Sequence, residues 1–211
     1  MQRTPINRPS AGLMLLGLMM LVAAAGCSVV DLPGEPPELY NLTPKTTFSK
    51  TLPTVDTQLI IEEPIAAGGL DTNRIALRPH ATRLQFLADS RWTERAPKMM
   101  QTLLVESFEN TGKIVAVGRQ SIGLRSDYIL KTELREFQVE TDKATGAFAV
   151  RVRINGKIVA QPNRAIIGSQ SFEHVAAVAE NGGIQAIIIA YDIAAGKVLK
   201  NIVEWTLHTI E

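Results

Sequence analysis

Residues 127–161 carry the pattern that most restricts the fold of this chain, a long alternation of apolar and polar side chains. In the second half of the segment, six apolar residues share one face: Phe148, Val150, Val152, Ile154, Ile158 and Ala160. The other face holds Arg151, Arg153, Asn155 and Lys157. A period of two predicts a β-strand with one buried face. Turn-like residues 142–146 separate it from an equally long partner, so the segment predicts a β-hairpin with arms of about 14 residues.

The first arm of this hairpin changes face part-way along. The early apolar residues share one parity and the later ones hold the other: Tyr128, Leu130 and Leu134, then Phe137 and Val139. A slip of one residue turns every later side chain to the wrong face, so we predict a β-bulge near Arg135-Glu136. Because most strands run only about 5–6 residues, we also expect part of the hairpin to project from the sheet.

Two segments with helical periodicity complete the picture. Residues 94–110 repeat apolar side chains at i, i+3, i+4 and i+7. From residue 184 an apolar stripe of the same spacing is wide enough for a helix that lies on a sheet. Shorter strands are predicted at 39–42, 57–62, 75–77, 83–87, 114–117 and 165–172, with 114–117 buried. The pattern predicts an α/β (two-layer α+β) fold: a mixed, largely antiparallel sheet with a long hairpin and two main helices packed on it.

The first 26 residues have the features of a secretory signal. Two arginines precede an uncharged apolar run at residues 13–25. As a helix this run spans about 20 Å, too short for a bilayer core of about 30 Å. Ala24-Ala25-Gly26-Cys27 is similar to the bacterial lipobox, which predicts cleavage between Gly26 and Cys27, with a diacylglycerol thioether and an N-acyl chain on Cys27. The alternative is a cleaved signal peptide with a chance cysteine near the cut.

Residues 27–38 are expected to tether the anchor to the rest of the chain. Three prolines favour an extended shape, and the segment reaches at most about 40 Å. Ser28 rather than Asp, by similarity to enteric lipoproteins, favours export to the outer membrane. We therefore expect residues 39–211 to form one domain that faces the periplasm.

Composition excludes several classes of protein. Loss of residues 1–26 removes two of the 22 basic residues and none of the 21 acidic ones, which leaves a net charge of −1. This balance argues against nucleic-acid binding and against a polybasic membrane-docking surface. One cysteine in the chain excludes an intramolecular disulfide and a thiolate zinc cluster.

No motif for catalysis or metal binding is present in the sequence. His80, His174 and His208 stand far apart and do not match any zinc-binding spacing. The run Gly118–Gly123 has one residue too many before Ser121 to form a nucleophile elbow. The chain also lacks a P-loop, so energy for any transport must come from a partner. We predict no catalytic residue, no metal site and no cofactor beyond the lipid on Cys27.

Five short motifs occur in a characteristic order along the chain. They are Tyr40–Pro44, Leu70–Ala76, Ala88–Trp92, Leu134–Phe137 and the last helical segment with Ala186 and Trp205. This order resembles that of the ABC-type transport auxiliary lipoproteins. The resemblance implies a non-catalytic accessory protein that works with a mammalian-cell-entry (MCE) domain protein and an inner-membrane ABC permease and ATPase in moving lipids between the envelope membranes. Some relatives assemble into homo-oligomeric rings, so the resemblance also implies self-association.

Arg74, Arg91 and Trp92 fall within these motifs and are the predicted partner-binding residues, since Arg and Trp are frequent interface anchors. The alternative is structural, with Trp92 fastening the start of the first helix and Arg74 fixing a turn. At the level of function, the alternative is a structural or assembly lipoprotein of the envelope that is not tied to transport.

Overall fold

The computed structural model describes residue 2 and residues 36–119, 125–141 and 146–211. Within these residues the chain forms nine strands and two helices: β1 (Glu38–Tyr40), β2 (Val55–Ile61), β3 (Ile65–Ala66), β4 (Arg74–His80), β5 (Arg83–Trp92), α1 (Ala96–Glu109), β6 (Ile114–Arg119), β7 (Tyr128–Thr141), β8 (Phe148–Ala160), β9 (Ala165–Ala177) and α2 (Gly183–Thr209). Gly26, Cys27, Ser121 and most of the predicted tether and hairpin turn lie outside the described residues.

Strand β7 is the centre of the sheet. On one side it pairs antiparallel with β8, which pairs in turn with β9. On its other side three strands follow one another along its length, β2 near its start, β3 at its middle and β4 near its end, all parallel to it. Strand β6 extends the sheet beyond β2, and β5 and β1 extend it beyond β4. The sheet is therefore mixed, and its longest ladders are antiparallel, as predicted.

The hairpin of β7 and β8 pairs from Tyr128↔Ala160 to Thr141↔Phe148. Its register shifts between Leu134 and Glu136, which confirms the predicted bulge. The prediction that part of the hairpin projects from the sheet is wrong. Both arms are long because each is lined by other strands, β7 by three short parallel segments and β8 by all of β9.

Both predicted helices are confirmed and pack on the sheet. Helix α2 lies against β8 and β9, while α1 lies against β6 and β2 and contacts α2. The apolar stripe of α2 is buried, including Tyr191, Val198 and Ile202, none of which has an exposed surface. At the far end of α2, Trp205 packs so closely on the sheet that a Cβ at Gly168 would lie 2.9 Å from its ring. Glycine at this position therefore permits the close approach of helix and strand.

Strand β6 differs from its prediction as a buried strand. It pairs with β2 alone among the described strands, and Val115 is 67% exposed. The strand is apolar because helix α1 covers one of its faces, not because both faces are buried. Strands β5 and β9 each run about five residues beyond their predicted ends.

Residues 37–211 group as one compact unit. Among the described helices, none combines the length and the hydropathy that crossing a bilayer requires.

Candidate functional site

Strand β5 carries a large irregular β-bulge where it runs beside β4. Arg74 of β4 pairs with Arg91, and Ala76, two residues later, pairs with Phe86. One residue of β4 therefore faces the four residues 87–90 of β5. Bulges often lie at functional sites because they redirect side chains, which makes this bulge a candidate.

Arg91 holds the bulge in shape. Its Nη1 donates hydrogen bonds to the carbonyl oxygens of Leu87, at 3.3 Å, and Ser90, at 2.8 Å. Between these carbonyls, Asp89 has a φ of 51°, in the left-handed region that most side chains avoid. The guanidinium thus supplies hydrogen bonds where the bulge interrupts the ladder. Part of the Arg91 side chain is committed to the fold for this reason.

Arg74 and Leu39 lie on either side of Arg91 in the sheet. The guanidinium of Arg74 is 3.9 Å from the centre of the Phe86 ring, a cation–π contact at an exposed site. Leu39 of β1 pairs with Arg91 and is 63% exposed. Paired residues of neighbouring strands present their side chains on the same face. We call Leu39, Arg74, Phe86 and Arg91 the bulge surface; it combines exposed apolar area with positive charge.

Trp92 lies in the core, with no exposed surface. Its ring centre is 5.5 Å from that of Phe137 and 5.0 Å from that of Tyr191, edge-on in the second case. The Tyr191 hydroxyl donates a hydrogen bond to the Ala76 carbonyl oxygen, at 3.2 Å. Trp92 therefore joins β5, β7 and α2 from inside the domain. A buried ring is not presented to a partner, and this corrects its place among the predicted partner-binding residues.

The second and third sequence motifs meet at the start of α1. The amide of Trp92 donates to the carbonyl oxygen of Asn73 at 2.7 Å, and that of Ala96 donates to Thr72 at 3.0 Å. Arg95 forms ion pairs with Asp71 and with Glu63. Two segments that lie about 20 residues apart in the chain thus form one structural unit beneath the bulge surface.

The face of the sheet that points away from the helices carries a network of ion pairs. Its members are Arg78, Arg151, Arg153, Glu136, Glu140 and Glu173. Glu136 binds Arg78 and Arg153 at 2.7 Å each. The hydrogen bond with Glu140 raises the pKa of Arg151 above its ordinary value. Each arginine has a carboxylate partner, so this face is a balanced polar surface rather than an anion-binding site.

The three histidines are not brought together. His80 lines a cleft of about 490 Å³ beside the ion-pair network, His174 lies on β9, and His208 is near the end of α2. Among the described residues, no group of His, Cys, Asp and Glu side chains could hold a metal ion. Ser121 lies outside these residues.

A model of the ABC-type transport auxiliary lipoprotein component family matches residues 40–203. The chain belongs to this family. The match runs from β1 through most of α2 and includes the bulge surface except Leu39. Members are auxiliary components of transport systems, and a lipoprotein of this kind resides in the cell envelope.

This auxiliary lipoprotein is also similar to individual proteins of other organisms. An uncharacterized protein of Bradyrhizobium diazoefficiens is 31% identical over 175 residues, which is 81% of this chain but 45% of that protein. The chain thus spans less than half the length of this relative. The crystal structure of a protein from Xanthomonas campestris is 29% identical and superposes with a TM-score of 0.76 over 82% of this chain and 95% of that one. A hypothetical protein from Chlamydia trachomatis, 7% identical, shares the fold with a TM-score of 0.52 over 74% of this chain and 98% of its own.

Sequence reasoning found the two arginines of the bulge surface but missed Leu39 and Phe86. The sequence predicts a strand at Leu39 but not which side chains of this strand point inward. Its neighbour Tyr40 packs against the core, and the period of two then turns Leu39 outward. Phe86 carried no such signal, because the bulge of β5 breaks the alternation directly after it.

Proposed function

We propose that this auxiliary lipoprotein is the non-catalytic accessory component of an MCE-type ABC transport system that moves lipids between the envelope membranes. The observation that carries the proposal is the family match over residues 40–203, which covers nearly all of the strands and helices described above. Its partners in the proposal are the MCE-domain protein and the inner-membrane permease and ATPase. A ring of several copies belongs to the same proposal.

The anchor in this proposal is Cys27, with a diacylglycerol group on sulfur and an acyl chain, palmitate for example, on its amine. A single acyl chain binds a bilayer only marginally, whereas two or three chains hold a protein there stably. Strand β1 begins at Glu38, 11 residues after Cys27, so the start of β1 can lie at most about 40 Å from the membrane surface. In our proposal this membrane is the outer membrane, which is supported by Ser28 rather than Asp directly after the cysteine.

The bulge surface is the proposed docking site. Interfaces are enriched in arginine, and their central contacts are apolar and desolvated. Arg74 is exposed and stacked on Phe86, which limits the freedom that its side chain would lose on binding. Leu39 of β1 supplies an exposed apolar contact two strands away from Arg74, on the other side of Arg91. The ion-pair network is a weaker candidate because its charges are already paired.

Co-purification from detergent extracts at native expression tests the transport role and the surface together. We expect the wild-type chain to recover the MCE-domain and permease subunits, and Leu39→Glu to recover about tenfold less, equivalent to about 1.4 kcal/mol. Val115→Glu is the matched control, since Val115 is also an exposed apolar residue on an outer strand, 67% against 63%. Recovery of neither subunit by the wild-type chain would overturn the transport role. Equal losses in the two variants would overturn the docking site alone.

The anchor has its own test. Mass spectrometry of the membrane-extracted protein should find an N-terminal Cys27 that carries lipid, and Cys27→Ser should release the protein from the membrane fraction. An unmodified Cys27 on material that washes free without detergent would contradict this part of the proposal. A deletion strain with normal outer-membrane lipid asymmetry and altered assembly of another complex would instead point to the structural role.

A further inference from the structure

Strand β9 has an open outer edge. Of the strands described, it pairs with β8 alone, although it is 13 residues long. Proteins usually protect such an edge with lysine, proline, a bulge or a short strand, because its free amides and carbonyls can pair with another chain. Residues 165–177 contain no proline and no lysine, and Glu173 is the single acidic residue among them. The ladder with β8 has one bulge, at Ile166-Ile167, and it leaves residues 168–177 as an uninterrupted edge. Three large apolar side chains on this strand are exposed: Ile166 at 60%, Ile167 at 43% and Val175 at 41%.

We propose that β9 pairs antiparallel with β9 of a second copy of this chain, about a two-fold axis that passes through Ser171. This inference goes beyond the proposed function and does not depend on it. The contact would join the two sheets edge to edge without changing either fold. A two-fold contact produces pairs of chains, so a ring would need a further contact surface on each copy.

The residues of β9 are complementary to themselves in this register. An axis at Ser171 places Ile167, the bulge residue next to the regular ladder of 168–177, opposite Val175 of the other copy, and does so twice by symmetry. Two β-branched side chains that are exposed in one copy thereby cover each other, which is a favourable cross-strand pair. Glu173 lies opposite Ser169, so its carboxylate meets a neutral hydroxyl and keeps its ion pair with Arg151 on its own sheet.

Neighbouring registers are less favourable. An axis at Glu173 would place two carboxylates directly opposite each other, and an axis at Gln170 would place Glu173 against Ile167. An axis at Phe172 would place Val175 against Ser169 instead of an apolar residue. The register about Ser171 is the one that pairs the exposed apolar residues and separates the like charges.

Disulfide cross-linking tests the pairing and its register. Ser171 and Ser169 are both exposed on the same strand, so Ser171→Cys and Ser169→Cys are matched variants. In the first variant the two new cysteines would face each other across the axis at about 4.5–5.5 Å between Cα atoms, within the range of a disulfide. In the second variant they would be offset by four residues, about 13 Å, and out of range. In the full lipid-bearing chain in detergent, we expect about fivefold more linked dimer from Ser171→Cys than from Ser169→Cys.

The wild-type chain, whose one cysteine is Cys27, is the control for links through the anchor residue. Ser171→Lys adds a second test, because two ammonium groups would meet at the axis. We expect this variant to lose the dimer in a mass measurement by light scattering. Ser171→Thr, the matched control, should keep the dimer. Equal cross-linking of Ser169→Cys and Ser171→Cys would overturn the register. The self-pairing would be overturned by a wild-type chain that is monomeric throughout, or by a Ser171→Cys variant that links to a different polypeptide.

Discussion

Truncating Trp92 to alanine would empty the centre of the core between β5, β7 and α2. Loss of a buried tryptophan typically costs about 3–5 kcal/mol in free energy of unfolding. Trp92 is fully buried, and its ring forms two aromatic pairs, with Phe137 and Tyr191, each worth about 0.5–1.5 kcal/mol. We therefore expect a loss of about 4–5 kcal/mol. In a domain of this size, 1 kcal/mol shifts the Tm by about 2–4 °C, so the Tm should fall by about 8–20 °C.

Phenylalanine at the same position should be tolerated far better. The Nε1–H of Trp92 is buried without a hydrogen-bond partner among the described residues. An unpaired buried donor costs about 1–3 kcal/mol, and Trp92→Phe removes it while keeping an aromatic ring in place. The loss from Trp92→Phe should thus be less than half of the loss from Trp92→Ala.

Urea and thermal unfolding followed by circular dichroism would measure both variants. Trp205→Ala is the matched control, because Trp205 is the second tryptophan of the chain and is only partly buried, so its loss should be smaller. The reasoning is refuted if Trp92→Ala keeps the wild-type midpoint, or if Trp92→Phe is as damaging as Trp92→Ala. A Trp92→Ala protein of normal stability that no longer recovers transport subunits would restore Trp92 as a docking residue.

Three further perturbations follow from the same contacts. Gly196→Ala should stabilise α2 by about 1 kcal/mol in urea unfolding, since the nearest atom to the added methyl lies 4.0 Å away. Gly168→Ala should instead destabilise the protein, because its methyl would be 2.9 Å from the Trp205 ring. A change in the free energy of unfolding of the same sign for both variants would contradict this. Burial raises the pKa of Tyr191 above 10.0, so ionisation above that pH favours the unfolded chain. The contribution of Tyr191 to the free energy of unfolding should be complete below pH 10 and fall above it by up to about 1.4 kcal/mol per pH unit. Tyr191→Phe should lessen this slope between pH 9 and 11. Glu136→Gln leaves Arg78 without its carboxylate and Arg153 with Glu173 alone, at 4.0 Å. It should lower the free energy of unfolding by about 1–3 kcal/mol, and an unchanged value would count against the network.

Local patterns predicted the elements of this fold well. The change of parity between Leu134 and Phe137 located the bulge of β7, because a strand with one buried face cannot change face without an extra residue. The apolar stripes predicted both helices for the same reason, since burial of one face imposes a period on the sequence. The order of the short motifs led to the family, which the match over residues 40–203 confirms.

These local patterns did not show which strands pair with one another or what covers each strand. Nothing local in β7 shows that three separate strands line its second edge, which is why its length was misread as a projection from the sheet. Strand β6 was misjudged in the same way, because an apolar run does not reveal whether one side or both are covered.

The sequence by itself determined which faces are apolar, where the helices lie, the Cys27 motif and the family. Only the tertiary structure decided that Trp92 is buried, that Arg91 is committed to the bulge of β5 and that Leu39 and Arg74 share an exposed surface. The physical reason is the range of the interactions involved. Periodicity records whether a side chain is covered, whereas the identity of the covering strand or helix depends on contacts between residues that are distant in the chain.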